Sequence, residues 1–166
     1  MILSDLGASV IKVEKPGEGD TSRGWGNRFP AGDPKETSAF INFNRNKKSM
    51  TLDLKTEEGR EILYRVSEKA DIFIENFRPA VLSELGIDYK SIKKVNPNIV
   101  YVAISGFGLT GPYKKKAAYD LVMQGMSGIM SLTGERDGPP MPVGFFLADF
   151  ATSAYTVIAI MAALKM

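Results

Sequence analysis

The chain has 166 residues, 44% hydrophobic and 24% charged, with a net charge of +2. That is enough length for one domain with a real core, and too little charge to imply a nucleic-acid partner. It contains neither Cys nor His, which excludes disulfides, thiol nucleophiles, thiolate metal sites and the commonest general base at neutral pH.

"MILSDL" reads as the end of a helix closed by Gly7, a normal C-terminal glycine. "ASVIKVE" then alternates as a strand. A helix that stops six residues into the chain implies a strand before it, so a fragment of a longer strand–helix–strand unit is expected. Residues 15–38 form a Gly/Pro-rich loop, of a length that in compact domains tends to be functional. "SMTLDL" (49–54) reads as a strand, and 56–70 as a helix with Ile62, Leu63, Val66 and Ala70 on one face.

"DIFIENF" (71–77) reads as a buried strand, "VLSELG" and "DYKSIKKVN" as two short helices, and "NIVYVAIS" (98–105) as a parallel-type strand. Residues 119–132 read as helical, 133–144 as a Gly/Pro turn region and 150–165 as an apolar helix. Strands alternating with helices predict an α/β fold with a doubly wound, Rossmann-like, mostly parallel sheet. No linker divides residues 1–166. No run of about 18 uninterrupted apolar residues occurs, and the N-terminus lacks the flanks of a signal peptide. A soluble, cytoplasmic protein is the expectation.

"GFGLTG" (106–111) follows a strand and matches G-x-G-x-x-G, the dinucleotide fingerprint. Its context argues against that reading. A helix should open there to present amides to a pyrophosphate, whereas Pro112 and "YKKK" (113–116) come next. A glycine-lined loop at a strand's C-terminal end still suits a ligand loop or a plain turn.

Asp149 stands between Phe145, Phe146 and Leu147 on one side and Phe150 on the other. Preceding an apolar helix, it suits an N-cap, a role that contributes about 1 kcal/mol. A helix N-terminus also favours an ionised carboxylate, and flanking Phe rings limit its hydration. Such a carboxylate is able to attack an acyl thioester. The residues alone leave both roles open.

Six ordered segments carry a resemblance: "DLGASVIKVEKPGEGDTSRGWG", "NRNKKSMTLDLKTEEGREIL", "ADIFIENFRP", "ISGFGLTGPY", "AYDLVMQGMSGIMSLTGE" and "DGPPMPVGFFLADF". Together they resemble the class III coenzyme A transferases, the formyl-CoA transferase and carnitine CoA-transferase family. The resemblance implies part of an N-terminal large CoA-binding domain, with a first strand and a C-terminal small domain lying outside the chain. It implies transfer of CoA from an acyl-CoA to a free carboxylic acid, through an aspartyl anhydride and an aspartyl-CoA thioester, with Asp149 as nucleophile. It implies no metal and no permanently bound cofactor, CoA and acyl-CoA being substrates, and an interlocked homodimer.

By position, the resemblance sets Lys15 near the adenosine 3′-phosphate, and Leu52 and Lys55 at the adenine and phosphates. Asn76, Phe77 and Arg78 fall on the pantetheine and diphosphate path. Val81 and Leu85 pack nearby, and Tyr119 sits beside the thioester. Ala117 falls where a relative has Lys, leaving that phosphate contact absent or to Lys114, Lys115 or Lys116. α-Methylacyl-CoA racemases share this resemblance but use a His at the place of Tyr119, which a chain without His lacks. A non-catalytic CoA-binding module is the other alternative.

Overall fold

A computed structural model describes residues 1–27 and 36–165, so residues 28–35 of the expected Gly/Pro-rich loop lie outside the described residues. The chain divides into two compact units, Met1–Glu68 and Lys69–Met166.

In the first unit, α1 (Ile2–Asp5) ends just before Gly7, whose φ of 98° is the left-handed conformation that glycine adopts without strain. β1 (Val10–Glu14) runs parallel to β2 (Lys47–Thr51), in register from Val10 opposite Lys47 to Glu14 opposite Thr51. Between them lie a 3₁₀ turn at Thr21–Gly24 and α2 (Ser38–Asn44), whose Thr37 cap accepts the Phe40 N–H at 3.2 Å. Nothing in the apolar spacing announces α2. β2 begins two residues earlier than the sequence pattern predicts and ends before Leu52. α3 (Glu57–Ser67) starts at a Thr56 cap and buries Gly59, Leu63 and Ser67. Ile62, expected on that face, is 42% exposed.

The end of β1 is organised by Glu14, which is only 6% exposed. Its carboxylate accepts from Arg23 Nε at 2.9 Å and Nη2 at 3.1 Å, from Ser49 Oγ at 2.8 Å and from the Asp20 N–H at 2.9 Å. The Arg23 guanidinium, then Ser49 and the Asp20 amide, hold this carboxyl down at about 2, against the cost of burial. A depressed carboxyl stabilises the fold above its unfolded value and loses that contribution as pH falls through the folded one. Between about pH 4.5 and 2 the unit should therefore lose roughly 2–4 kcal/mol through this group. Glu14→Gln should be less stable at pH 7 and flatter across that acid range in urea unfolding. A parallel pH dependence in both proteins would remove Glu14 from that role.

In the second unit, β3 (Ile72–Glu75) pairs in parallel with β4 (Val100–Ala103), from Ile72 opposite Val100 to Glu75 opposite Ala103. The crossover holds α4 (Pro79–Leu85), with Pro at its first position and a left-handed Gly86 at its end, and α5 (Tyr89–Val95), capped by Asp88. Leu82, Ile87, Ile92 and Ile99 are buried here. Tyr101 stacks on Phe73 at 5.4 Å and donates its hydroxyl to the Ile87 carbonyl at 2.9 Å. β3 and β4 are less covered than their apolar runs suggest: all four residues of β4 are half-buried and Ile74 is exposed.

The helix expected over 119–132 is broken. α6 (Asp120–Met126) stops, Gly128 takes a φ of 80°, and a 3₁₀ turn follows at Ile129–Leu132. α7 (Leu147–Lys165) packs against α6 and β4. An 18-residue stretch of this 19-residue helix has a mean hydropathy of 1.6, enough by length and composition to cross a membrane. Within it Ile160 is buried, while Tyr155, Ile158, Met161 and Leu164 are exposed. The strands of the described residues thus form two parallel pairs in an α/β chain, consistent in class with the alternation read from the sequence.

Candidate active site

α7 begins at Leu147, so Asp149 is the third residue of the helix and not its cap. The N-cap role expected of Asp149 is filled from α6. Asp120 Oδ1 accepts the Ala148 N–H at 2.7 Å and the Asp149 N–H at 3.4 Å. Asp120 is itself buried, and its Oδ2 accepts from Gln124 Nε2 at 2.5 Å. The correction has a simple cause. A capping carboxylate needs only to reach the free amides of the first turn, and one held by a neighbouring helix serves as well as a local one.

Relieved of capping, Asp149 is exposed to solvent, and its sequence neighbours Phe145, Phe146 and Phe150 are themselves about half exposed. Partial burial, and secondly the charge of Asp120, raise its pKa above the ordinary range. A carboxylate whose pKa is raised in this way is a stronger nucleophile than a free one. Tyr119 is the residue before α6, 73% exposed, and makes no side-chain capping bond. The backbone that fixes Asp120 therefore holds Tyr119 at its neighbouring position.

Within each unit, several of the other expected contact residues follow a strand end, where open α/β sheets bind ligands. In the first unit, the Leu52 N–H donates to the Glu14 carbonyl at 3.0 Å, and Leu52 is buried. Lys15 follows β1, is exposed, and pairs with Glu18. It borders an open cleft of about 220 Å³, shared with Gly17, Gly19, Arg23, Ser49 and Thr51. Lys55 is exposed, its N–H donating to Asp53 Oδ1 at 3.0 Å.

In the second unit, Asn76, Phe77 and Arg78 leave the end of β3 as an exposed turn. The Phe77 N–H donates to Glu75 Oε2 at 2.8 Å. Arg78 caps α4 through its backbone, and Val81 and Leu85 sit half-buried one turn apart on that helix. Lys114, Lys115 and Lys116 are exposed, with Lys116 Nζ 4.0 Å from the centre of the Tyr113 ring. No helix opens after "GFGLTG", and a Cβ on Gly106 would fall 2.0 Å from Ala118 Cβ. The first glycine of that motif thus serves backbone packing, and the dinucleotide reading fails.

Among the described residues no group of three or more His, Cys, Asp or Glu is placed to hold a metal ion. Sequence reasoning missed Asp120 and Gln124. Their i, i+4 spacing on a helix was legible, but nothing in the sequence connects them to residues 143–149.

The sequence model of CoA-transferase family III matches residues 1–166. The chain is 48% identical to the succinate–glutarate CoA-transferase of Agrobacterium fabrum, over 98% of this chain and 42% of that protein. It is 48% identical to the acetyl-CoA:oxalate CoA-transferase of Acetobacter aceti, over 86% of this chain and 36% of that protein. Among solved structures it is similar to a CAIB/BAIF family protein from Brucella suis, with a TM-score of 0.94 and 50% identity, covering 99% of this chain and 43% of that one. The chain thus spans about two fifths of the length of the relatives it matches.

Proposed function

Since the chain belongs to CoA-transferase family III, we propose that the protein moves CoA from an acyl-CoA thioester to a free carboxylic acid, with Asp149 as the nucleophile. The observation that carries this reading is the Asp149 carboxylate left free in the first turn of α7, where Asp120 fills the capping role and adds to the rise in its pKa.

One Asp149 oxygen attacks the thioester carbonyl; the C–S bond breaks, CoA leaves as thiolate, and a mixed anhydride forms. The thiolate attacks the aspartyl carbonyl of the anhydride and releases the donor carboxylate, leaving an aspartyl-CoA thioester. The acceptor carboxylate attacks that thioester and expels the thiolate again. Attack of the thiolate on the acceptor's acyl carbonyl then gives the new acyl-CoA and free Asp149. No step requires a metal, a thiol of the protein or an imidazole, in keeping with the absence of Cys and His. The racemase reading is disfavoured because the racemases carry their His at the place where this chain has Tyr119.

Borohydride or hydroxylamine trapping during turnover with succinyl-CoA, followed by peptide mass spectrometry, tests the assignment. A modification on Asp149 is expected, and productive turnover with the trapped group elsewhere would overturn it. A protein that binds CoA with no turnover and no adduct would favour the non-catalytic module. The acids in the relatives' names make glutarate and oxalate the first acceptors to assay.

On the same reading Lys15 and Lys55 hold CoA phosphates, Arg78 with Asn76 and Phe77 lines the diphosphate and pantetheine path, and Leu52, Val81, Leu85 and Tyr119 supply apolar and positioning contacts. Charge-assisted contacts to phosphate contribute roughly 1.5–3 kcal/mol each. Single Ala changes at Lys15, Lys55 or Arg78 should thus weaken CoA binding about ten- to a hundredfold. Lys15 should fall at the low end, because it exchanges Glu18 for phosphate, and dephospho-CoA should erase its effect. Unchanged calorimetric affinities in all three variants would remove them from the site.

The doubly wound sheet, the large-domain assignment, cytoplasmic placement and an interlocked homodimer belong to this proposal as well. The exposed apolar side chains of α7 are read as surface covered within such an assembly, with no bilayer involved.

A further inference from the structure

One buried side chain ties the segment carrying Asp149 to α6 at two points and holds the carboxylate that caps it. Gln124 is 2% exposed. Its Oε1 accepts the Val143 N–H at 2.8 Å, and its Nε2 donates to the Phe145 carbonyl at 3.2 Å and to Asp120 Oδ2 at 2.5 Å. These partners fix the amide's orientation, since an N–H only donates and a carbonyl or carboxylate only accepts. The carboxylate so held turns its other oxygen to the Ala148 and Asp149 amides. A single amide therefore sets both the path of the backbone into α7 and the angle of its cap.

An ordinary buried glutamine needs only that its polar atoms be satisfied. Here each bond ends on the segment 143–149 or on the group that caps it. We propose that Gln124 is a positioning residue for Asp149, acting directly on the entering backbone and through Asp120 on the first turn of α7. The proposal rests on the reading of Asp149 as nucleophile. Misplacement of a reacting group by about 1 Å costs on the order of a hundredfold in rate, and loss of this latch allows such a shift.

The test uses the full-length protein with succinyl-CoA and glutarate, comparing Gln124→Met, which keeps the volume, with Gln124→Asn, which keeps the amide but withdraws it. Rates are normalised to the fraction of protein that binds CoA by calorimetry, so misfolded protein drops out. For Gln124→Met we expect kcat to fall about a hundredfold, with the KM for succinyl-CoA changed less than about threefold. Gln124→Asn should lie between that variant and the parent. Should Gln124→Met not fold, Gln124→Asn carries the same comparison.

Asp120→Asn supplies a readout that packing alone does not move. Partial burial and then the charge of Asp120 raise Asp149, so neutralising Asp120 should shift the acid limb of kcat part of the way to lower pH. Normalised kcat within about twofold of the parent in either glutamine variant, or an unmoved acid limb in Asp120→Asn, overturns the latch. Turnover retained by Asp149→Ala would instead sink the nucleophile reading itself, so the two failures are separable.

Discussion

Replacing Asp149 by Ala in the full-length protein is expected to abolish CoA transfer while leaving CoA binding intact. Without the carboxylate neither the anhydride nor the enzyme thioester forms, and removal of a covalent nucleophile costs a factor on the order of 10⁴ or more in kcat. The fold should not suffer. Asp120 caps α7 through backbone amides that the Ala variant retains, so the usual loss of about 1 kcal/mol on removing a local cap does not apply. Burial and the Asp120 charge raise the Asp149 pKa, and a raised carboxyl pKa opposes folding once the group is ionised. Thermal stability at pH 7 should therefore be equal to or higher than the parent's, less a few tenths of a kcal/mol for the lost first-turn acid. Asp149→Asn should behave likewise. Residual turnover within about a hundredfold of the parent, or a marked fall in Tm, would contradict the assignment.

The second large effect is expected at Gly106. A Cβ there would lie 2.0 Å from Ala118 Cβ and 3.5 Å from Met123 Sδ, so even Gly106→Ala must push apart the end of β4 and the segment leading into α6. Overpacking of this kind costs roughly 1–3 kcal/mol and more where backbone must move, so Gly106→Val should exceed 3 kcal/mol. Displacing Ala118 also displaces Tyr119 and Asp120, and turnover should fall with stability. Gly108 and Gly111 make the contrast. Their φ values are 75° and 82°, and open space surrounds their missing Cβ atoms, so Ala there should cost only about 1–2 kcal/mol. A denaturation series ranking Gly106 with the other two would show that the close approach relaxes freely.

Much of this was legible from residue spacing. α3, α4 and α5 carry their own signals: Thr56 as cap, Pro79 at a helix start, Gly86 at its stop and Asp88 as the next cap. β1, β3 and β4 follow from short apolar runs bounded by polar residues. α2 escaped because seven residues give too short a window for helical periodicity. The break at Gly128 escaped because a glycine inside an apolar helical pattern reads equally as tolerated or terminal. Asp149 drew attention as a charge in apolar surroundings, yet its local role was misassigned. The sequence offers Asp149 as the nearest cap for α7, while the cap comes from Asp120, 29 residues earlier. Contacts made across such a distance leave no trace in local pattern.

The cap has one more consequence. The open N-terminus of a helix ordinarily offers backbone donors to a developing anion, and Asp149 stands in the first turn of α7, next to where a thioester would be attacked. But the Ala148 and Asp149 amides already face Asp120, and the Phe150 amide donates to the Phe146 carbonyl at 3.0 Å. The helix therefore has no amide from residues 148–150 to offer an oxyanion. On the proposed mechanism, stabilisation of the tetrahedral adduct would fall to donors outside that turn, separating the nucleophile and its electrophilic support onto different parts of the protein.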